Sequence, residues 1–520
     1  MVSKLLEAKD AAALVAEGMT LAVDGFVGAA TPEELLRALE ARFLDSGAPR
    51  DLTVIAATGQ GDAQGRGLDR LAHPGLIGRL ITSYLNLNRV LQKRLIDEEL
   101  EGYLLPLGVI VQLYREIAAG RPGLITHIGL NTFVDPRQEG GRVNARTVDD
   151  LVEVVTLAGK EWLFYPSMKL DIGFLRGTTA DEDGNITMER EIATFQGPSF
   201  AQAVRNAGGT VIAQVERIVE RGTLKPREVV IPGHLIDHVV QGAAENHQQT
   251  FASVYNPLFS GEARAEIGGI APVPLDTRKL IGRRAAMELQ RGDVVNLGVG
   301  IAGYVATVAR EEECGDAFTL TVESGATGGY PAYNLDFGAS INAGSVIDHT
   351  YQFDFYDGGG LDITIVGLAQ MDAAGNVNVS KLAHRIPGVG GFFNVTQGAE
   401  RVVFCGLFTA GDQEIIVTPE GLRIDRDGAV VKFVDQVEQV TFNAQQALAK
   451  GQRVTAMTER GVFEITDEGP VLTEIAPGVD LERDIFARMG FRPAVSPALA
   501  AMPAEIFRPG RFDLARYLNR

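Results

Sequence analysis

The sequence has little cysteine, a deficit of positive charge and no long apolar run. Its two cysteines, Cys314 and Cys405, are far apart, so neither a zinc motif nor a disulfide framework is indicated. A formal net charge of -19 argues against a nucleic-acid backbone as the main partner. No apolar run approaches the roughly 18 residues of a membrane span, and the N-terminus has no apolar core of signal-peptide length. These absences predict a cytoplasmic protein that binds neither a membrane nor a nucleic acid.

Glycine and apolar residues are abundant instead. Of the 520 residues, 60 are glycine and 45% are hydrophobic, which is typical of a compact protein with many turns. Short β-rich runs, such as residues 21–23 and 52–56, alternate with helical stretches along the chain. This alternation predicts an α/β fold whose mostly parallel sheets are covered by helices. Because the chain is longer than one hydrophobic core normally organises, we expect two open α/β domains.

An internal repeat indicates that the two domains are related. The tripeptide Leu170-Asp171-Ile172 recurs as Leu361-Asp362-Ile363, at an offset of 191 residues (361 − 170). The same offset pairs three further elements: Phe164-Tyr165 with Phe355-Tyr356, Asp181 with Asp372, and Gly184-Asn185 with Gly375-Asn376. We predict an N-terminal half at 1–245, a linker region at 246–280 and a C-terminal half at 281–520, with the ligand site between the halves. Two unrelated α/β domains that share a common turn are the alternative.

The segment from Val294 to Gly329 carries the most chemical information. A predicted strand at 294–297 leads into a glycine-rich turn, and Glu323 follows a second predicted strand at 318–322. A carboxylate in this position lies where α/β sheets bind ligands. Three interpretations stay open from these residues alone. Glu323 is a covalent nucleophile, or it binds a ribose beside a G-x-G-x-x-G turn, or it is a structural glutamate.

Further glycine clusters favour a long anionic ligand over a single dinucleotide fingerprint. Residues 357–360 read Asp-Gly-Gly-Gly, and residues 388–391 read Gly-Val-Gly-Gly. The second cluster follows Lys381 and Arg385, which can supply positive charge to a phosphate group. Each cluster by itself indicates only a turn.

Several longer motifs are similar to those of a known family. They are Gly-Leu-Ile-Thr-His at 123–127, Thr-Phe-Val-Asp-Pro-Arg at 132–137, Arg-Gly-Thr-Thr-Ala-Asp-Glu-Asp-Gly-Asn at 176–185, Val-Glu-Ser-Gly at 322–325, Gln-Phe-Asp-Phe-Tyr-Asp-Gly-Gly-Gly at 352–360 and Gly-Asn-Val-Asn-Val-Ser at 375–380. With these motifs the chain resembles the fused-subunit family I coenzyme A-transferases, in the propionate or acetate CoA-transferase branch. In that family the Glu-Ser-Gly element carries the nucleophile, which here is Glu323.

The resemblance implies a ping-pong transfer of CoA between short- to medium-chain carboxylic acids. Glu323 would form first an acyl-glutamyl anhydride and then a glutamyl-CoA thioester. The implied partners are an acyl-CoA and a free carboxylic acid, with CoA as substrate, no tightly bound cofactor and no metal, in a homodimer or homotetramer. The oxyanion donors implied are Gly25, Phe26, Val27 and Gly28, supplemented by Gly390 and Gly391. The residues assigned to CoA are Gly298, Gly300, Gly325, Lys381, Gly390 and Gly391.

Two departures from the family pattern concern the substrate pocket. Relatives usually carry Pro-Gln-Gly where this chain has Pro106-Leu107-Gly108, and they tend to carry a Gly-His-Trp-Gly-like stretch where Tyr84 lies. A leucine in place of an amide removes a hydrogen-bonding group and makes the pocket more apolar. We therefore expect Tyr84 and Leu107 to line a pocket for an acid larger or less polar than acetate or propionate.

Two other functions are compatible with the same residues. An acyl-CoA hydrolase would pass the acyl group from the same glutamate to water, and a non-catalytic relative would only bind CoA. Release of CoA without a second carboxylic acid distinguishes the hydrolase. His234 and His238 have the i, i+4 spacing of metal ligands on a helix, but no third ligand is apparent nearby.

Overall fold

The computed structural model describes residues 4–266 and 272–519, and the chain packs into two compact units. Unit 1 comprises Met1–Arg264, Val322–Asp354 and Leu382–Asn394. Unit 2 comprises Ala265–Thr321, Phe355–Lys381 and Val395–Arg520. The units are interleaved in sequence, so Glu323 belongs to unit 1 although it follows a strand of unit 2. The division into two related halves, 1–245 and 281–520, joined by a linker region, stays a prediction.

The described residues up to 266 form eleven strands and six α-helices. The strands are β1 Thr20–Val23, β2 Leu52–Ala56, β3 Ile77–Thr82, β4 Glu101–Leu104, β5 Gly123–Thr126, β6 Glu153–Leu157, β7 Lys160–Pro166, β8 Ile172–Asp181, β9 Ile186–Thr187, β10 Thr210–Val219 and β11 His238–Gln241. The helices are α1 Ala8–Ala13, α2 Glu33–Ser46, α3 Arg89–Ile96, α4 Leu107–Ala118, α5 Gly197–Asn206 and α6 Pro257–Ser260.

The described residues from 272 onward contain many short strands and five α-helices. The strands are β12 Val294–Leu297, β13 Thr319–Thr321, β14 Ala326–Thr327, β15 Tyr330–Pro331, β16 Ser340–Ile341, β17 Ser345–Val346, β18 Leu361–Gly367, β19 Gln370–Met371, β20 Val377–Asn378, β21 Ala399–Cys405, β22 Thr409–Ala410, β23 Glu414–Thr418, β24 Gly421–Arg426, β25 Val430–Val431, β26 Arg453–Met457, β27 Gly461–Thr466, β28 Gly469–Ile475 and β29 Ala494–Ala501. The helices are α7 Thr277–Ala286, α8 Tyr304–Glu311, α9 His349–Asp357, α10 Phe392–Gly398 and α11 Ala444–Ala449.

The main sheet of unit 1 is parallel apart from the two-residue strand β9. Its order is β11-β10-β8-β1-β2-β3-β4, and β9 pairs antiparallel with β8. Every residue of β8 is buried, as expected for a central parallel strand with both faces covered. On one of these faces α4 and α5 pack together, and the rings of Tyr114 and Phe200 meet edge to face at 5.2 Å.

Unit 2 has a parallel half and an antiparallel half. The parallel strands run in the order β13-β12-β18-β21-β26, and β27 and β28 extend them as an antiparallel meander with β29 at the edge. The apolar faces of α7 and α8 pack on this sheet with the C-terminal residues Phe512 and Tyr517. Unit 2 therefore has its own hydrophobic core. The prediction of an α/β fold with mostly parallel sheets is confirmed.

The sequence repeat produces the same hydrogen-bonded turn in each unit. In unit 1 the carboxylate of Asp181 accepts from the backbone N–H groups of Asp183 and Asn185 and from the Asn185 side chain at 2.9–3.0 Å. In unit 2 Asp372 accepts from the N–H groups of Ala374 and Asn376 and from the Asn376 side chain at 2.9–3.2 Å.

The repeated Leu-Asp-Ile also makes the same hydrogen bond to a neighbouring strand in each unit. The aspartate of the repeated Leu-Asp-Ile accepts the N–H of the first residue of the neighbouring strand: Asp171 from Thr20 at 2.9 Å, and Asp362 from Val294 at 2.7 Å. One pairing of the repeat was wrong, because Phe164-Tyr165 lies in the strand β7 whereas Phe355-Tyr356 lies in the helix α9.

No helix in residues 4–266 or 272–519 is both long and apolar enough to cross a membrane.

Substitution of Asp372 by alanine is expected to destabilise unit 2. It leaves two backbone N–H groups of the turn without their acceptor, which costs about 1–3 kcal/mol. Thermal or denaturant unfolding of the full chain measures the change. Asp412→Ala is the control, since Asp412 is an exposed partner of Arg426 and such surface pairs contribute little. Equal unfolding midpoints for the two variants would contradict the prediction.

Candidate active site

The candidate site lies where four neighbouring parallel strands of unit 1 end. The strands β1, β2, β3 and β4 end at Val23, Ala56, Thr82 and Leu104. The carboxyl ends of parallel strands meet at one edge of a sheet, which is where α/β proteins bind ligands. The loops that follow these strands therefore form one continuous surface.

Hydrogen bonds join these loops to one another. The Val27 N–H donates to the Thr58 hydroxyl at 3.0 Å, and the Gly61 N–H donates to the Val27 carbonyl at 3.0 Å. The Gly59 N–H then donates to the Tyr84 carbonyl at 2.8 Å. The loops after β1, β2 and β3 are thus held in a fixed order.

The glycine-rich segment 387–391 attaches to the same edge. The Ser83 carbonyl accepts from the N–H groups of Val389 at 2.7 Å and Gly390 at 3.0 Å. The Gly390 carbonyl in turn accepts from the N–H of Leu107, the first residue of α4, at 3.0 Å. This places Leu107, which is fully buried, directly behind the Gly390-Gly391 turn.

Glu323 packs against this turn. A Cβ atom added to Gly391 would lie 2.6 Å from Oε1 and 2.7 Å from Cδ of Glu323, so only glycine leaves room for the carboxylate. No group of residues 4–266 or 272–519 donates a hydrogen bond to that carboxylate. Burial without an ion-pair partner raises the pKa of Glu323 to about 7.

Tyr84 lies within electrostatic range of the same carboxylate. Its backbone pairs with Gly388 in an isolated bridge. Burial raises the pKa of its phenol, and the negative charge of Glu323 acts in the same direction, while Asn86 and Arg385 oppose the shift. Tyr84 therefore stays a neutral hydroxyl at physiological pH, able to donate a hydrogen bond.

The four residues predicted as oxyanion donors form a tight turn after β1. The N–H of Phe26 donates to the Ala29 carbonyl at 3.0 Å, and the N–H of Val27 is used by Thr58. Val27 adopts a φ of 56°, which is strained for a β-branched residue. Among the described residues the Gly28 N–H has no acceptor.

A buried polar chain supports this turn from behind. The Gln196 amide donates to Asp24 at 2.5 Å, and its Oε1 lies 2.7 Å from His349 Nδ1. The Phe26 ring contacts the His349 ring edge to face, with centroids 5.3 Å apart. Burial raises the pKa of Asp24 to about 7 and lowers that of His349 to about 3, so the imidazole is neutral and donates from Nδ1.

Sequence reasoning missed this chain, since Asp24, Gln196 and His349 are far apart in sequence and match no motif. Only the position of Asp24, directly after β1, was a usable signal.

The remaining predicted site residues are divided between the units. Gly325 lies in unit 1, where its carbonyl accepts from the Ile347 N–H at 3.0 Å. Gly298, Gly300 and Lys381 lie in unit 2, with Gly298 directly after β12 and Gly300 opening a 3₁₀ turn that leads into α8.

The histidine pair weighed as metal ligands does not lie on a helix face. His234 is in a 3₁₀ turn and His238 opens the strand β11. In the described ranges no group of three or more His, Cys, Asp or Glu side chains is placed to hold a metal ion.

Comparison with known proteins shows the family to which the chain belongs. The family model for coenzyme A transferase matches residues 5–242. The caffeate CoA-transferase of Acetobacterium woodii is 45% identical over 97% of this chain and 98% of its own length. The acetate CoA-transferase YdiF of Escherichia coli K12 is 39% identical over 97% of this chain and 95% of its own length.

Solved structures show the same similarity. The apoenzyme of the acyl-CoA transferase YdiF from E. coli O157:H7 superposes with a TM-score of 0.93 at 38% identity, covering 98% of this chain and 97% of that one. A thioester complex of the same enzyme with CoA gives a TM-score of 0.92 at 37% identity, with the same coverage. The chain therefore belongs to the family I coenzyme A-transferases of the fused-subunit type, and it is an enzyme of that class.

Substitution of Gly391 by alanine is expected to lower CoA-transfer activity about 10- to 100-fold. The added methyl group overlaps the Glu323 carboxylate, and overpacking of about 1–3 kcal/mol corresponds to that range of rate. Steady-state assay of acyl-CoA consumption in the presence of a carboxylic acid measures the effect. Gly78→Ala is the matched control, because a Cβ there meets no atom closer than 3.4 Å and Gly78 lies in β3, away from its carboxyl end. Equal activity of the two variants would contradict the role of Gly391.

Proposed function

We propose that this enzyme moves CoA from an acyl-CoA thioester to a free carboxylic acid through covalent intermediates on Glu323. The observation that carries the proposal is the Glu323 carboxylate, which is half-buried and packs against Gly391 with no partner among the described residues. A carboxylate held without hydrogen bonds or counter-charge retains its electron density for attack on a carbonyl carbon. A pKa of about 7 also keeps a large fraction of it ionised at neutral pH.

The reaction proceeds in two displacements. A Glu323 oxygen forms a bond to the acyl carbonyl carbon, and the C–S bond breaks to release CoA as its thiolate. The thiolate attacks the glutamyl carbonyl of the resulting anhydride, so the first acid leaves as a carboxylate and a glutamyl-CoA thioester remains. A second carboxylate reverses both steps and leaves as the new acyl-CoA. One thioester replaces another, so the transfer needs no ATP.

Backbone N–H groups are the candidates for stabilising the oxyanions of these steps. The Gly391 residue lies against the Glu323 carboxylate, and its N–H has no acceptor in the described part of the chain. The Gly28 N–H likewise has no acceptor among the described residues. Unpaired N–H groups held by a rigid backbone stabilise developing negative charge without reorganisation. Phe26 and Val27, whose N–H groups have internal acceptors, act by shaping the turn.

The environment of the site favours an acid with an apolar body. Leu107 is buried behind the Gly390-Gly391 turn and offers no hydrogen bond, while Tyr84 supplies an aromatic face and one hydroxyl. The caffeate CoA-transferase at 45% identity is named for an aromatic acid. We therefore propose that the acceptor is larger or less polar than acetate.

Intact-protein mass spectrometry tests the covalent mechanism. After incubation with butyryl-CoA, the enzyme should carry a CoA-sized adduct that borohydride removes, and Glu323→Gln should carry none. The rate of adduct formation at low acyl-CoA should rise with pH and level off above about pH 7, because only the ionised carboxylate attacks. Glu313→Gln, which changes an exposed glutamate, is the control. Turnover by Glu323→Gln at the wild-type rate would exclude the mechanism, and CoA release without an acceptor acid would indicate a hydrolase.

A panel of acceptor acids tests the pocket. Wild-type kcat/KM should be higher for butyrate, hexanoate or caffeate than for acetate. Leu107→Gln should shift the ratio toward acetate by about tenfold, the effect of one hydrogen bond of about 1.4 kcal/mol. A preference for acetate over the longer acids in the wild-type enzyme would refute the proposal on substrate size and leave the covalent mechanism unaffected.

A further inference from the structure

The side chain of Gln60 is fully buried at the candidate site and has no internal hydrogen bond. Gln60 lies between Gly59 and Gly61 in the loop after β2, with none of its surface exposed. Neither Nε2 nor Oε1 has a hydrogen-bond partner among residues 4–266 and 272–519. An amide can donate two hydrogen bonds and accept two, and leaving a buried one unpaired is costly.

Backbone hydrogen bonds hold the loop around Gln60, whereas the Gln60 amide and the neighbouring Asn88 Oδ1 have no hydrogen-bond partner among residues 4–266 and 272–519. The Gln60 carbonyl accepts from the Asn88 side chain at 2.7 Å and from the Leu68 N–H at 2.9 Å. The flanking Gly59 and Gly61 N–H groups donate to Tyr84 and Val27. The position of the side chain is therefore fixed by the loops that form the site.

The amide lies against the turn that follows β1. A Cβ atom added to Gly25 would come within 3.1 Å of Gln60 Nε2, so the glycine keeps that side of the amide open. In the same loop, the Gly59 N–H donates to the Tyr84 carbonyl at 2.8 Å. Burial raises the pKa of the Tyr84 phenol, and the negative charge of Glu323 acts in the same direction. Through its neighbours Gly59 and Gly61, the loop that carries Gln60 is hydrogen-bonded to Tyr84 and to Val27.

Another buried glutamine of unit 1 shows what a structural amide looks like in this fold. Gln92 donates from Nε2 to the Leu85 carbonyl at 2.6 Å and accepts the Ile386 N–H at 3.0 Å. Both of its amide atoms are used, and it joins two loops. Gln60 joins nothing through its side chain, so stability does not explain a polar residue at that position.

We propose that the Gln60 amide binds the carboxyl group that is exchanged in the reaction, with Nε2 donating to a carbonyl oxygen of the acyl group or of the incoming carboxylate. This inference rests on the proposed function, since it names a substrate-binding residue for that reaction. The chemistry that fits is a carbonyl or carboxylate oxygen, because a donor is aimed at the turn beside the proposed oxyanion site. The amides of the CoA arm offer a carbonyl oxygen too, and the test separates the two sources.

The experiment compares Gln60→Met with Gln92→Met in the full-length enzyme. Gln60→Met keeps the length of the side chain and removes an unpaired amide, so we expect an unchanged or higher Tm. We also expect the rates of adduct formation from butyryl-CoA and of adduct discharge by butyrate to fall together by about 10- to 100-fold, the effect of one charge-assisted hydrogen bond in a reacting complex. Gln92→Met should lower Tm because it breaks two internal hydrogen bonds. Gln60→Asn, which withdraws the amide by one methylene group, should reproduce the loss of rate if Gln60→Met does not fold.

Binding of free CoA, measured calorimetrically, identifies the source of the carbonyl oxygen. Free CoA has the amide-containing arm and no acyl group, so its Kd should be the same for wild type and Gln60→Met. A Kd weakened as much as the rates would overturn the inference in favour of the CoA arm. Rates within twofold of wild type would also overturn it, and would show that Gln60 pairs only with water. A wild-type enzyme that forms no adduct would remove the proposed function and this inference together, whereas a normal wild-type adduct limits any failure to Gln60.

Discussion

The rest of the candidate site depends on the close contact between the Glu323 carboxylate and Gly391. The ionised form of a carboxylate is destabilised when it loses water without gaining a partner. The pKa of Glu323 is therefore raised to about 7. The surrounding loops must hold it there, since no hydrogen bond from the described residues does. The property that makes the site unfavourable for stability is the same property that suits a carboxylate to nucleophilic attack near neutral pH.

Backbone hydrogen bonds, rather than side-chain ion pairs, hold the loops around Glu323 in place. The turns after β1, β2 and β3 and the segment 387–391 are connected through N–H and carbonyl groups, which position atoms without adding charge near Glu323. Polar side chains lie one layer further out. The Asp24–Gln196–His349 chain supports the Phe26 turn from behind, with its imidazole kept neutral by burial. No hydrogen bond or ion pair from the described residues therefore neutralises the Glu323 carboxylate.

Local sequence patterns predicted local structure well. The alternation of β-rich and helical runs indicated parallel sheets, and the Asp-x-x-Gly-Asn repeat predicted a turn that recurs with matching hydrogen bonds around Asp181 and Asp372. The Phe-Tyr pairing was wrong, because two aromatic residues fit equally well into the strand β7 and the helix α9. Identity over two residues does not constrain backbone geometry, whereas an aspartate that accepts its own backbone does.

The sequence by itself determined the fold class, the family and the identity of the residue expected to react, since each depends on short contiguous motifs such as 322–325. Only the tertiary structure decided what surrounds that residue. The closeness of Gly391 to Glu323, the position of Leu107 behind the turn and the unpaired amide of Gln60 arise from loops that are far apart in sequence. Such contacts depend on how the strand ends are arranged in the sheet, and that order follows from the packing of the whole unit rather than from any local pattern.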